Sequence, residues 1–412
     1  MPSLRDASCL AITALLVVGC SSSTGLASPS AERPSATATF AAGSSSPSSP
    51  APSFPVPASI ASATPQPTVG ESGWSGPHLI RSGECFDLTA TIDGASRYHV
   101  ALVCDGGIRY LTSTDRVTWA ETSFVPAIDR LESGPQLAVD GDTIYLAFTR
   151  LAPEDGGCGD DGLRDVGVYI RSRHLPDGAW SEAVRVGTEG DHVQAFRATG
   201  GVLHLTVTAA DGASVFYESN AGPTLTRIAL PNASETSLRV GDDGRARIAY
   251  TTGHAIRFGL ISGGALSAKT IAETDQTFLR GPSLVLGPGD HGYLLWTQYA
   301  DSGGGCAEVG PGPLDGTYFG SDASGAWVSR RISLATDATS LTLDPSTGQL
   351  HAIIKDGALR YFTTDGAAPW LAAEIPDSSR LTSPVIRLDP STGRIVVFAV
   401  DWGASVEILT NP

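Results

Sequence analysis

The sequence predicts an all-β chain: a seven-bladed β-propeller of four-stranded antiparallel blades, the last blade completed by an N-terminal strand. Three observations carry that expectation. A unit of about 40–50 residues recurs seven times after residue 72, the mark of a repeat architecture. Each unit offers four short β-rich segments separated by Gly, Asp, Pro and Asn. The seventh unit has only three such segments, and a spare one stands at the front of the repeat region.

The units begin near Asp87, Pro135, Val193, Thr236, Pro282, Thr339 and Pro384. The first segment of a unit is short, apolar and ends in a turn, as in "PQLAVDGD", "SLRVGDDG" and "PVIRLDPSTG". The second reads "YHVALVCD", "IYLAFTR" or "LHLTVTA". The third is aromatic ("IRYLTST", "GVYIRSR", "LRYFTTD"), and the fourth tends to open with Trp ("WAETSFVP", "WSEAVRV", "WLAAEIP"). Four antiparallel strands per unit build a propeller blade. The spare segment, "WSGPHLI" from Trp74 to Ile80, has the fourth-strand pattern. Pairing it with the last three strands closes the ring and removes an exposed edge. The competing arrangements are a six-bladed ring with a stray hairpin, or two sandwiches. A single Met beside 47 Gly fits a turn-rich fold, and no convincing amphipathic helix is visible.

The region before the repeat divides in two. In "MPSLRDASCLAITALLVVGC" (residues 1–20), Arg5 precedes an apolar run from Leu10 to Val18. The run is too short to span a membrane and reads as the core of an export signal. Its end, "LVVGC", resembles the lipobox of bacterial lipoproteins. That resemblance implies cleavage before Cys20 and a lipid on Cys20. Residues 21–71 are Ser, Pro, Ala and Thr, cannot bury a core, and read as a disordered tether. The repeat domain is 72–412. The expected address is therefore the extracytoplasmic face of the cell membrane, held by lipid. A net charge of −16 disfavours nucleic acid as a partner and suits a soluble exported domain, expected to be a monomer.

The third-to-fourth strand junctions include "TTDGAAPW" (Thr363–Trp370), "STDRVTW" (Ser113–Trp119) and the looser "SDASGAW" and "RHLPDGAW". These turns resemble the Asp-boxes of sialidases and related propellers. Leu225 and Leu266 stand where the third and fourth units would carry Trp. The resemblance covers about the last 340 residues as a repeat pattern. It implies the fold: the Asp serves a turn and the Trp a core. A sialidase site would need three arginines clamping a carboxylate, a Tyr–Glu pair and an Asp. Arg130, Arg280 and Arg380 each precede a first strand, in units two, five and seven, and Tyr299 ends a second strand. These four are the catalytic candidates on that reading. Their plain reading is surface arginines and a strand-end aromatic. "LIRSG" around Arg81 does not match the family's N-terminal "FRIP"-type stretch. No phosphate loop, H-E-x-x-H or G-x-S-x-G occurs, and His192, His254, His291 and His351 show no ligand spacing.

Beyond Cys9 and Cys20, four cysteines remain: Cys85, Cys104, Cys158 and Cys306. In an exported domain they form two disulfides. Cys85 precedes the first strand of unit one and Cys104 ends its second, so a hairpin sets them opposite each other. Cys158 and Cys306 then pair. Each lies in an insertion between second and third strands, in units nearly across the ring. Each is about eight residues from its strand, a reach of roughly 26–29 Å. Acids beside Cys158, chiefly Asp155, Asp160 and Asp161, are candidate calcium ligands without EF-hand spacing; no other cofactor is expected. The favoured function is a binding module for a glycan or an extracellular protein on the strapped face. The alternative is a sialidase-like exo-glycosidase.

Overall fold

The computed structural model describes residues 73–124, 131–153, 163–222, 224–275, 277–300, 315–335, 337, 339–366, 369–401 and 405–411. Seven four-stranded antiparallel sheets form the expected propeller. The inner strands of blades 1 to 7 are Cys85–Ile92, Leu131–Asp140, His192–Thr199, Thr236–Val240, Thr277–Leu286, Thr339–Leu343 and Leu381–Leu388. In blade 7 the N-terminal strand His78–Ser82 pairs with Ser405–Thr410, so the ring closes as the repeat count required. The pairing strand starts later than Trp74. Trp74 is instead buried, with its ring 5.2 Å from that of Tyr361 in blade 6.

The second strands are the most apolar because both of their faces are covered by neighbouring blades. Every residue of Tyr98–Cys104 and of Ala246–Thr251 is buried. The fourth strands, such as Ala120–Ser123, lie largely in solvent. Seven hydrophobic clusters fill the seams, each shared by two adjacent blades. One joins Val100 and Leu102 of blade 1 to Phe398 and Ile408 of blade 7. Another joins Leu295 and Phe319 of blade 5 to Leu350 and Ile354 of blade 6.

The turn tryptophans work in these seams. Each sits before its blade's outer strand and reaches back onto the preceding blade. Trp119 meets Phe398, Trp180 meets Tyr110, Trp327 meets Phe258 and Trp370 meets Phe319, with ring centroids 5.0–6.5 Å apart, mostly edge to face. The Asp of the turn has the local job expected of it: Asp115 accepts the backbone N–H groups of Val117 (2.9 Å) and Thr118 (2.7 Å). These bonds hold its carboxyl down at about 2.

The inner strands are linked around the ring by hydroxyls. Ser237 Oγ accepts the Leu284 N–H, Ser283 Oγ the Leu341 N–H and Ser340 Oγ the Ile386 N–H, at 3.1–3.2 Å. Each serine thus satisfies a backbone donor of the next blade that no strand can reach. Cys85 and Cys104 are directly opposed in blade 1, with Cα atoms 4.4 Å apart, and form the expected disulfide.

The ring has two ends. Chain crossovers between blades and the loops joining second to third strands share one, here called the crossover face. The tight turns joining first to second and third to fourth strands share the other, the turn face.

Candidate functional site

On the crossover face, blades 4 and 5 bring aromatic and charged side chains together. Phe278 lies at the start of the blade 5 inner strand, and Tyr299 lies near the end of the strand paired with it; the two are direct cross-strand partners. Their rings are 6.0 Å apart. His254, in the loop between the second and third strands of blade 4, stacks on Phe278 at 4.8 Å with an interplanar angle of 26°. Its Nδ1 is fixed by the Thr277 carbonyl at 2.9 Å. The result is a row of three rings, His254 exposed and Phe278 and Tyr299 half-buried.

Charge lies beside the row. The Arg280 guanidinium is 5.3 Å from the Tyr299 ring centroid, a cation–π arrangement. Its Nε is 3.9 Å from Glu235 of blade 4, and its side chain is 64% exposed, so both groups keep open valences towards solvent. Glu235 is held in place by the Gly281 N–H at 2.6 Å. Gly281 has φ +60°, a backbone state that suits glycine, and it is what turns that N–H towards the carboxylate. The platform therefore offers apolar ring faces, a donor set and an acceptor set within one patch.

Two of the sequence candidates, Arg280 and Tyr299, thus meet. Arg380 has other partners: Asp401 at 2.8 Å and Glu407 at 2.5 Å, both in its own blade. Arg130, the calcium candidates Asp155, Asp160 and Asp161, Cys158 and Cys306, and the lipidation candidate Cys20 all lie outside the described residues. Among the described residues no group of three or more His, Cys, Asp or Glu is placed to hold a metal.

A second charged feature occupies the crossover face of blade 2. Glu132, 2% exposed, is raised above its ordinary value by burial, against which Arg150 at 3.5 Å works. The Arg150 guanidinium also lies 4.1 Å above the Tyr169 ring. Sequence reasoning missed His254, Phe278 and Glu235 as companions of Tyr299. The available signal was positional: each lies at a strand end on the crossover face.

No protein-family model and no curated protein matches the sequence. Solved structures share its architecture. The polysaccharide lyase Uly1 aligns with a TM-score of 0.52 and 9% identity, over 82% of this chain and 91% of its own. Hydrazine synthase of Kuenenia stuttgartiensis aligns with a TM-score of 0.52 and 12% identity, over 80% and 96%. Trypanosoma rangeli sialidase in complex with the inhibitor DANA has a TM-score of 0.46 at 10% identity, over 80% of this chain and 55% of that chain. At such identities the likeness is one of fold: this chain is a β-propeller module similar in architecture to enzymes of unlike chemistry.

Proposed function

We propose that the chain is a lipid-anchored, extracytoplasmic binding module that takes a glycan on the His254–Phe278–Tyr299 row. One observation carries the reading: a half-exposed aromatic row with an open guanidinium and an open carboxylate at its edge. A sugar ring has an apolar C–H face and a rim of hydroxyls. The face stacks on aromatic rings, and the rim exchanges hydrogen bonds with Arg280 and Glu235. Nothing in this arrangement requires bond cleavage, which is why binding is preferred to hydrolysis. The lipobox-like "LVVGC" and the Ser/Pro tether support anchoring through Cys20.

A glycan array followed by calorimetry tests the ligand. Tyr299→Ala should weaken binding at least about tenfold, a loss of about 1.4 kcal/mol. No bound glycan, or unchanged affinity in the variant, would remove the reading. A fluorogenic glycoside panel run alongside separates the enzyme alternative: hydrolysis abolished by Arg280→Ala would replace binding with catalysis. For the anchor, metabolic labelling with an alkyne fatty acid should tag the wild type and leave Cys20→Ser untagged and soluble. An untagged wild type would end that part.

A further inference from the structure

The pairing of the inner strands brings seven equivalent side chains to one level of the propeller axis. Three are arginines: Arg197 of blade 3, Arg239 of blade 4 and Arg387 of blade 7. Each follows a buried residue, Phe196, Leu238 and Ile386, and each lines a cavity of about 670 Å³ on the axis. Thr342 and Thr91 hold the same position in the blades flanking Arg387, and Ala138 and Val285 separate the two polar arcs.

The arginines are held by main chain. In all three, Nη1 donates to the carbonyl of the preceding residue: Phe196 (2.6 Å), Leu238 (2.9 Å) and Ile386 (2.7 Å). Arg387 Nε donates to the Ala90 carbonyl at 2.7 Å. Nη2 of each has no hydrogen bond to the described residues, and none of the three forms an ion pair with them. Directly behind them in the sheets stand no carboxylates. The cross-strand partners of the three are His204, Arg247 and Val396. Two acids reach the cavity wall at the turn face. Asp290 is taken by Arg247 at 2.7 Å and by the Asp242 N–H at 3.0 Å; Asp242 makes no ion pair among the described residues.

Three guanidiniums gathered on the axis with no carboxylate of the described residues bonded to any of them repel one another, and that repulsion is only partly relieved by solvent in the cavity. Burial lowers Arg197 to about 10, and burial and then Arg197 itself lower Arg387 to about 9. Both remain cationic at neutral pH. An anion with several acceptor oxygens relieves all three at once, because planar guanidiniums on opposite arcs can each give an N–H to a different oxygen.

We propose that the axial ring of Arg197, Arg239 and Arg387 is a binding site for a small polyvalent oxyanion, phosphate or sulfate in type, free or as the terminal ester of a larger ligand. The hydroxyls of Thr91 and Thr342 complete the shell beside Arg387. The cavity opens among turn-face residues such as Gly241, Gly287 and Pro345. The aromatic row lies at the far end of the same strands: Phe278 is separated from Val285 by seven residues, roughly 23 Å along a strand. The site therefore stands independently of the glycan reading.

Calorimetry on the full chain tests it with inorganic phosphate and with sodium chloride at matched ionic strength. Phosphate should bind and chloride should not compete at equal concentration. Arg387→Gln should weaken phosphate at least about tenfold, and Tyr299→Ala should leave it unchanged. A monosaccharide sulfate that binds more tightly than free sulfate, with the same dependence on Arg387, assigns the anion to an esterified ligand; equal binding assigns it to the free ion. Phosphate no better than chloride, or Arg387→Gln binding as wild type does, overturns the proposal. Should Arg387→Gln fail to fold, anomalous scattering from selenate in wild-type crystals decides. Density against the three guanidiniums supports the site, and its absence overturns it.

Discussion

Two arginines of the seams, Arg227 and Arg247, and three on the axis are held in opposite ways. The two seam arginines are matched to acids. Arg227 of blade 3 bonds Asp191, on the crossover entering that blade, at 2.7 Å, and also bonds Glu218; both acids are buried. Arg247 of blade 4 ties its own Asp243 (2.9 Å) to Asp290 of blade 5 (2.7 Å). Tyr98 of blade 1 is likewise tied to Asp389 of blade 7 at 2.6 Å. On the axis, Arg197, Arg239 and Arg387 have only carbonyls. The difference teaches where charge serves assembly and where it awaits something else. A cation already neutralised by buried acids holds parts together, whereas one kept from them is available to an outside anion.

The sharpest way to break this contrast is to delete one cation of each kind. Arg227→Ala leaves Asp191 and Glu218 buried without their counter-ion and should cost about 3–5 kcal/mol in urea unfolding. Arg239→Met removes an unmatched charge and should cost nothing in anion-free buffer. Equal losses would erase the distinction between seam and axis.

Next in size is the disulfide at the seam of blades 1 and 7, closing a separation of 19 residues. Its replacement by two serines should lower stability by about 3 kcal/mol in the chain-entropy model. A seam that depends on packing alone would show almost no change in midpoint.

Acid sharpens the comparison further, because buried histidines of the seams titrate in a range where the axial arginines stay charged. His99 and His351 each meet a tyrosine hydroxyl through Nδ1 at 2.6 Å, and burial lowers both to about 4 from an ordinary 6.5. Between those values the unfolded chain binds more protons than the folded one. Stability is therefore intact above pH 6.5, falls as pH drops, and is fully lost for these groups below about 4. The expected loss is about 3 kcal/mol per histidine. In His351→Asn, the slope of melting temperature against pH across that window should shrink; an unchanged slope would show that other groups govern acid sensitivity.

The smallest effect expected is for the ring of hydroxyls. Ser340→Ala leaves the Ile386 N–H without its partner and should cost about 1 kcal/mol by thermal denaturation.

Much of the architecture was legible beforehand because a propeller is written as a repeat. The four-segment unit set the blade count, the missing seventh fourth strand announced closure, and hairpin geometry placed Cys85 opposite Cys104. The start of the closing strand was not legible. Trp74 looked like a strand opener, yet it is drawn into the seam by Tyr361, because a large ring gains more from burial than from the blade's edge.

The sites divide in the same way. The sequence by itself determined that Arg280 and Tyr299 lie at strand ends of one unit, and that "LRV" in Leu238–Val240 and "IRL" in Ile386–Leu388 recur at one position of the repeat. Only the tertiary structure decided what those positions face. Adding His254 and Glu235 from blade 4 to the row of blade 5 required the two blades to be neighbours in space. An inner strand flanked by apolar residues on both sides does not reveal which of them points to a seam and which to the axis. Ring closure settles that, by burying Leu238 and Ile386 between blades and turning Arg239 and Arg387 inward, where no carboxylate among the described residues bonds them.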